Sequence, residues 1–95
     1  MNHEITPRFD LGQIVSTPGA VETLSRHNIP YRILVDRHVS GDWGDMSDED
    51  KQENELSITE GFRIFSAYSI GEQDRVWVIT EADRSSTCLL LPEEY

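Results

Sequence analysis

The chain is poor in positive charge. Eight lysines and arginines face eighteen aspartates and glutamates, a formal net charge of −10 at pH 7, with a pI near 4.5. Non-specific nucleic-acid binding and attraction to anionic membranes both use basic surface, so this balance argues against both. Cysteine is nearly missing: Cys88 stands alone, no internal disulfide can form, and a reducing cytosol is the expected setting. No apolar run approaches the ~20 residues of a membrane helix. Residues 1–7 carry neither the basic flank nor the apolar stretch of a secretion signal, which leads to the expectation of a cytoplasmic protein. The motifs of chemistry are missing too. There is no glycine-rich phosphate loop, no Gly-x-Ser-x-Gly elbow and no paired-cysteine motif. No motif therefore indicates an enzyme, and none indicates a cofactor.

What is present is enough for one small domain. The 95 residues are 37% hydrophobic and 27% charged. A chain of this size buries about 60–65% of its unfolded surface, so its core is thin. There is no internal repeat and no low-complexity linker.

Local signals divide the chain into an extended lead-in (1–16), a helical part (17–61) and a sheet (62–95). Phe9, Leu11, Ile14 and Val15 give the lead-in some apolar character, compatible with a short strand. Thr17-Pro18 starts a helix, threonine as cap and proline at the first helical position. That helix runs to about His27, with Ala20, Val21 and Leu24 on its apolar face, and Asn28 and Pro30 follow as stop signals. Residues 31–38 read as a second helix sharing Tyr31, Leu34, Val35 and His38 on one face. A strand over 31–35 is the rival, because Ile33 and Val35 are β-branched. Residues 41–45, Gly-Asp-Trp-Gly-Asp, form a glycine-flanked loop. Ser47 starts a third helix, Asp50 completes an approximate capping box, and Asp48, Glu49 and Asp50 suit its positive end. Gly61 closes it.

Residues 62–69, 75–80 and 87–91 then read as strands, the first two joined by a glycine-containing hairpin loop. All three carry apolar residues on both faces. One face packs on the helices, and the other needs cover from the N-terminal segment or a second subunit. The predicted fold class is α+β: N-terminal helices followed by a three- to four-stranded antiparallel meander in a single domain.

Three features carry chemistry. The first is acidic: residues 42–60 hold eight carboxylates and one lysine, Lys51. Asp45, Glu49 and Glu53 recur at i+4, about 6 Å apart on a helix, a spacing close to that of phosphates along a nucleic-acid strand. Such a stripe is able to occupy the basic groove of a nucleic-acid-binding protein. Its plain alternative is a solvated helix face. The partner-binding candidates are Asp42, Asp45, Asp48, Glu49, Glu53 and Glu60. The second feature places His38 near Asp42 and Asp45. Its spacing matches neither an EF-hand nor a zinc pattern, so a structural loop plugged by Trp43 is expected, and no metal. The third is polar: Thr80, Glu81, Asp83 and Arg84 end one strand, and Arg63 and Tyr68 lie on its neighbour. As a catalytic set, Arg63, Tyr68, Thr80, Glu81 and Arg84 would supply a base and a phosphate clamp. The plain alternative is a turn held by Arg84, and the shortage of cations speaks against an RNase face. Cys88 reads as a small core residue; His3 and His27 carry no pattern.

Residues 38–95 contain His38, Gly41-Asp42-Trp43-Gly44-Asp45, Ser66-Ala67-Tyr68, Trp77, Ile79-Thr80-Glu81-Ala82-Asp83-Arg84 and Leu90-Leu91-Pro92-Glu93-Glu94-Tyr95. This pattern resembles that of a family of small, functionally uncharacterised, plasmid-related bacterial proteins. The resemblance covers about three-fifths of the chain and leaves out its N-terminal third. It implies association with mobile elements, and through that two roles: inhibitor of a host defence nuclease, of anti-restriction or anti-CRISPR type, or a toxin-like module. The leading expectation is a non-enzymatic, acidic protein-binding module that mimics nucleic acid. A small RNase or toxin-like enzyme, and a structural homodimer joined through an uncovered sheet face, are the alternatives.

Overall fold

A computed structural model describes residues 6–95; His3 lies outside them. The chain enters as a short strand, β1 (Gln13–Ser16), and runs through three helices: α1 (Pro18–Arg26), α2 (Tyr31–Val39) and α3 (Asp48–Glu60). Three strands follow, β2 (Ile64–Ile70), β3 (Asp74–Thr80) and β4 (Ser86–Leu90), and a 3-10 turn over Pro92–Glu94 ends the fold. The class is α+β.

Capping chemistry sets the helix ends. The Thr17 hydroxyl accepts from the Ala20 N–H, with Pro18 in the first turn, and Ser47 accepts from the Asp50 N–H in the same way. Gly61 ends α3 in the left-handed region at φ +78°, where a side chain would be strained. Residues 31–39 are helical, which settles the helix–strand ambiguity. Leu34, Val35 and His38 reach the core from one helical face, which a strand over 31–35 would split between two sides. Tyr31 does not join them. It sits in the first turn and is 48% exposed.

The sheet order is β1-β4-β3-β2. The expected antiparallel meander is present in β2, β3 and β4, but the whole sheet is mixed, because β1 lies parallel to β4. Without β1, strand β4 would end the sheet with a row of unpaired backbone groups, and the lead-in segment supplies their partners. Ile64, Ser66, Tyr68 and Ile70, the β3 residues Val76, Val78 and Thr80, and the β4 residues Thr87 and Leu89 share one face by register. There Tyr68, Ile70, Val76, Val78 and Leu89 pack against Ala20, Leu24, Leu34 and Val35 as one core. Each such aliphatic side chain contributes about 1.5–3 kcal/mol on burial.

The opposite face carries Phe65, Trp77, Ile79, Cys88 and Leu90. Part of its cover comes from Tyr95, whose ring lies edge-on to Trp77 at 5.6 Å and to Phe65 at 6.4 Å. Cys88 is half-buried there, and burial pushes its thiol up, so it behaves as a packing residue.

Candidate protein-binding surface

Helix α3 is built unlike the other two. Asn54 and Ser57 are its buried residues, and both are polar. Hydrogen bonds hold it in place. The Asn54 amide donates to the Phe65 carbonyl at 2.6 Å and its oxygen accepts from the Phe65 N–H at 3.0 Å. One side chain thus pairs with the backbone of β2 as a neighbouring strand would. Farther along, Trp43 C=O accepts from the Ala67 N–H, and the Ala67 C=O accepts from the Asp45 N–H. The Asp45 carboxylate then takes both the N–H and the hydroxyl of Ser69. The outer edge of β2 is therefore closed at residues 65, 67 and 69. Gly44 makes this approach possible: it holds φ +76°, and a Cβ there would run into the Ala67 carbonyl.

At the far end of α3 the Arg84 guanidinium donates to the carbonyls of Ser57 and Phe62 at 2.8 Å each and to that of Glu81 at 3.0 Å. The one guanidinium thus ties the last turn of α3 to the residues just beyond it and to the turn after β3. At mid-helix, Arg8 forms a two-pronged pair with Glu55 at 2.6 and 2.9 Å, and the Trp43 indole N–H donates to the same carboxylate at 3.1 Å. Arg8 holds the Glu55 carboxyl below its ordinary range.

These contacts split the acidic block. Asp42 is bound by Arg37, Nε to Oδ2 at 2.7 Å, and also accepts from the Gly44 N–H. The Arg37 bond keeps its carboxyl low. Asp45 precedes the helix, because Ser47 caps it, and its hydrogen bonds to Ser69 keep its carboxyl low as well. The expected stripe of Asp45, Glu49 and Glu53 on one helix therefore does not exist, and Asp42 and Asp45 leave the set of free partner-binding groups. Asp48, Glu49, Glu53 and Glu60 stay exposed on α3. At 100° per residue, Glu49, Glu53, Leu56 and Glu60 fall within an arc of about 60°, and no cation shares it. Among the described residues none of these carboxylates forms an ion pair. Beside this face opens a groove of about 700 Å³ lined by Met46, Asp50, Glu53, Phe62, Arg63 and Phe65. Phe62 was expected in the strand. It lies before β2 and is 56% exposed at the groove.

The alternative catalytic set is not assembled. Arg63 reaches Glu81 at 3.4 Å and the Tyr95 hydroxyl at 3.0 Å, but Arg84 is spent on carbonyls. Thr80 is fully buried on the helix-facing side. Tyr68 is buried at the other end of β2, pairing with Val76 while Ile64 pairs with Thr80. Its hydroxyl donates to the Asp42 carbonyl at 2.6 Å, and burial raises its pKa. A buried, raised phenol and a spent guanidinium are poor parts for a base and a phosphate clamp.

The sequence reading missed what His38 does. Its ring is fully buried between Ser66 Oγ, 2.6 Å from Nδ1, and Thr80 Oγ1, 2.9 Å from Nε2. Thr80 Oγ1 lies 2.7 Å from Thr87 Oγ1, and Thr87 donates to the Leu11 carbonyl at 2.7 Å. That carbonyl only accepts, so Thr87 donates to it, Thr80 donates to Thr87, and His38 Nε2–H donates to Thr80. Burial pushes the His38 pKa down to about 3, so near neutral pH the ring is uncharged with its proton on Nε2, and Ser66 donates to Nδ1. Phe9 and Trp43 pack around it. This series of bonds ties α2, β2, β3, β4 and the lead-in together, and it gives His38 a structural role. Among the described residues no group of three or more His, Cys, Asp or Glu side chains is placed to hold a metal ion. No helix there is long and apolar enough to cross a membrane.

No protein family, curated protein or solved structure matches this chain.

Proposed function

We propose that this chain is a small acidic protein-binding module whose working surface is the solvent face of α3 with the adjoining groove. The observation that carries this reading is the sorting of the carboxylates. Asp42, Asp45 and Glu55 are engaged within the fold, while Glu49, Glu53 and Glu60 line one exposed arc with Leu56 among them. Like charges held together on a rod repel one another, and a basic partner relieves that repulsion. The groove adds apolar Phe62 and Phe65 beside Asp50 and Glu53, and the cation on its lining, Arg63, is already paired with Glu81. Aromatic faces and carboxylates together suit an arginine or lysine side chain. The partner class is a protein with a basic cleft, and a nucleic-acid-binding defence protein is the specific form that the plasmid-related resemblance favours. In that role the chain is an inhibitor from a mobile element that competes with DNA or RNA. Glu49 and Glu53, about 6 Å apart along the axis, match one phosphate step.

The test is capture from a bacterial lysate at low salt, with the wild type and a Glu49→Gln/Glu53→Gln/Glu60→Gln variant side by side. The captured protein is expected to leave the wild type as salt rises, to be displaced by added nucleic acid, and to be missed by the variant. Capture that survives in the variant, or that ignores salt, rules this surface out.

A further inference from the structure

The two sides of the sheet end differently. The β2 side is closed, as described above. On the β1 side, Gln13 N–H donates to Ser85 C=O and Thr17 N–H to Leu89 C=O, both at 3.0 Å. Backbone groups of a parallel strand alternate in direction, so residues 13, 15 and 17 face β4, and the N–H and C=O of Ile14 and Ser16 face outward. All four residues of β1 are exposed, Ile14 at 39% and Val15 at 40%. Exposed edges are normally guarded by charge or proline. Here residues 11–21 carry no charged side chain, in a chain whose net charge is −10.

We infer that β1 is the site of self-association, where a second copy of this chain adds its own β1 antiparallel across a two-fold axis. Charge selects this partner. Two strongly acidic molecules repel over most of their surfaces and approach most readily where both are neutral. Hydrogen bonding selects the register. Pairing Ile14 with Ser16 of the other copy satisfies the outward N–H and C=O of both residues in both molecules, four bonds in all, and puts Val15 on the axis. A register centred on Ser16 opposes Ile14 to Pro18, which has no N–H to offer, and one centred on Ile14 opposes Ser16 to Gly12, which precedes the strand at φ +64°. Opposed residues share a face, so Ile14 of one copy lies against Ser16 of the other. Ser16 stands at the mouth of a small apolar groove of about 220 Å³ lined by Val21, Leu24, Ile29 and Tyr31, which receives that side chain.

Sedimentation velocity from about 5 to about 500 µM covers the range over which so small an interface associates. The wild type is expected to double in mass across it, and Val15→Glu, which sets two carboxylates on the axis, to stay single. Val15→Cys in a Cys88→Ser background is expected to cross-link on mild oxidation, because opposed residues between ladder hydrogen bonds lie within disulfide reach. The Cys88→Ser change is needed because Val15 pairs with Cys88 within the same molecule. A wild type that stays single throughout overturns the inference, as does a Val15→Glu variant that pairs as well as the wild type. Should Val15→Glu not fold, the cysteine variant decides, and failure to cross-link overturns the inference.

Discussion

Helices α2 and α3 lie in one small molecule and are held by opposite means. α2 puts Leu34, Val35, His38 and Val39 into the interior, and its one buried polar side chain is fully bonded. α3 buries an amide and a hydroxyl and is tied to β2 by Asn54, to the turn after β3 by Arg84, and to Arg8 and Trp43 by Glu55. The first helix is part of the core, and the second is attached to it. Stability and surface chemistry are thereby separated: the exposed carboxylates Glu49, Glu53 and Glu60 can change without disturbing the packing, while the interior under α2 tolerates little.

The sharpest way to break this comparison is His38→Ala. It opens a cavity and strands the Ser66 and Thr80 hydroxyls in the interior, a loss of about 3–5 kcal/mol in a domain whose whole stability is about 5–15 kcal/mol. Urea denaturation measures it, and a cost no greater than that of an α3 contact would erase the distinction.

Acid is next. The unfolded His38 imidazole takes a proton below its ordinary 6.5, whereas the folded one resists to about 3. The unfolded state then binds more protons, so stability falls as pH drops through that window, by about 1.4 kcal/mol per pH unit. From pH 6.5 down to the ordinary glutamate value of 4.5, His38 carries this slope. Below that, Asp42 and Glu55, held low by their arginines, lose their contributions as they protonate. A His38→Gln variant that keeps the slope above pH 4.5 would assign it elsewhere.

Asn54→Ala is expected to cost about 1–3 kcal/mol by orphaning the Phe65 backbone groups. It should speed amide exchange along α3 and β2 while leaving α2 protected. Uniform loss of protection would show that the two helices stand or fall together. Smallest of all is the effect of Glu49→Gln/Glu53→Gln/Glu60→Gln on stability. Its melting temperature should match that of the wild type while partner capture is lost.

Thr17, Pro18, Ser47 and Gly61 marked the helix ends correctly because capping is decided within a few residues. Ser47 also shows where the reading of the acidic stripe went astray: a cap at that position already places Asp45 outside the helix. The parallel partnership of β1 with β4 was not legible, since it joins segments about seventy residues apart with nothing local to record it. The polar chain through Ser66, Thr80 and Thr87 was hidden for another reason. Hydroxyl residues are ordinary in strands, and only the register shows that these three turn toward His38. A signal existed in part, because His38 shares a helical face with Leu34 and Val35, which is an unusual place for a residue destined for solvent.

The way Asn54, Trp43 and Asp45 occupy the backbone of β2 also bears on aggregation. A sheet with two open flanks can add copies without limit and become a fibril. With one flank sealed from within, growth stops after a single addition, and the chain's unguarded strand is not a route to polymer.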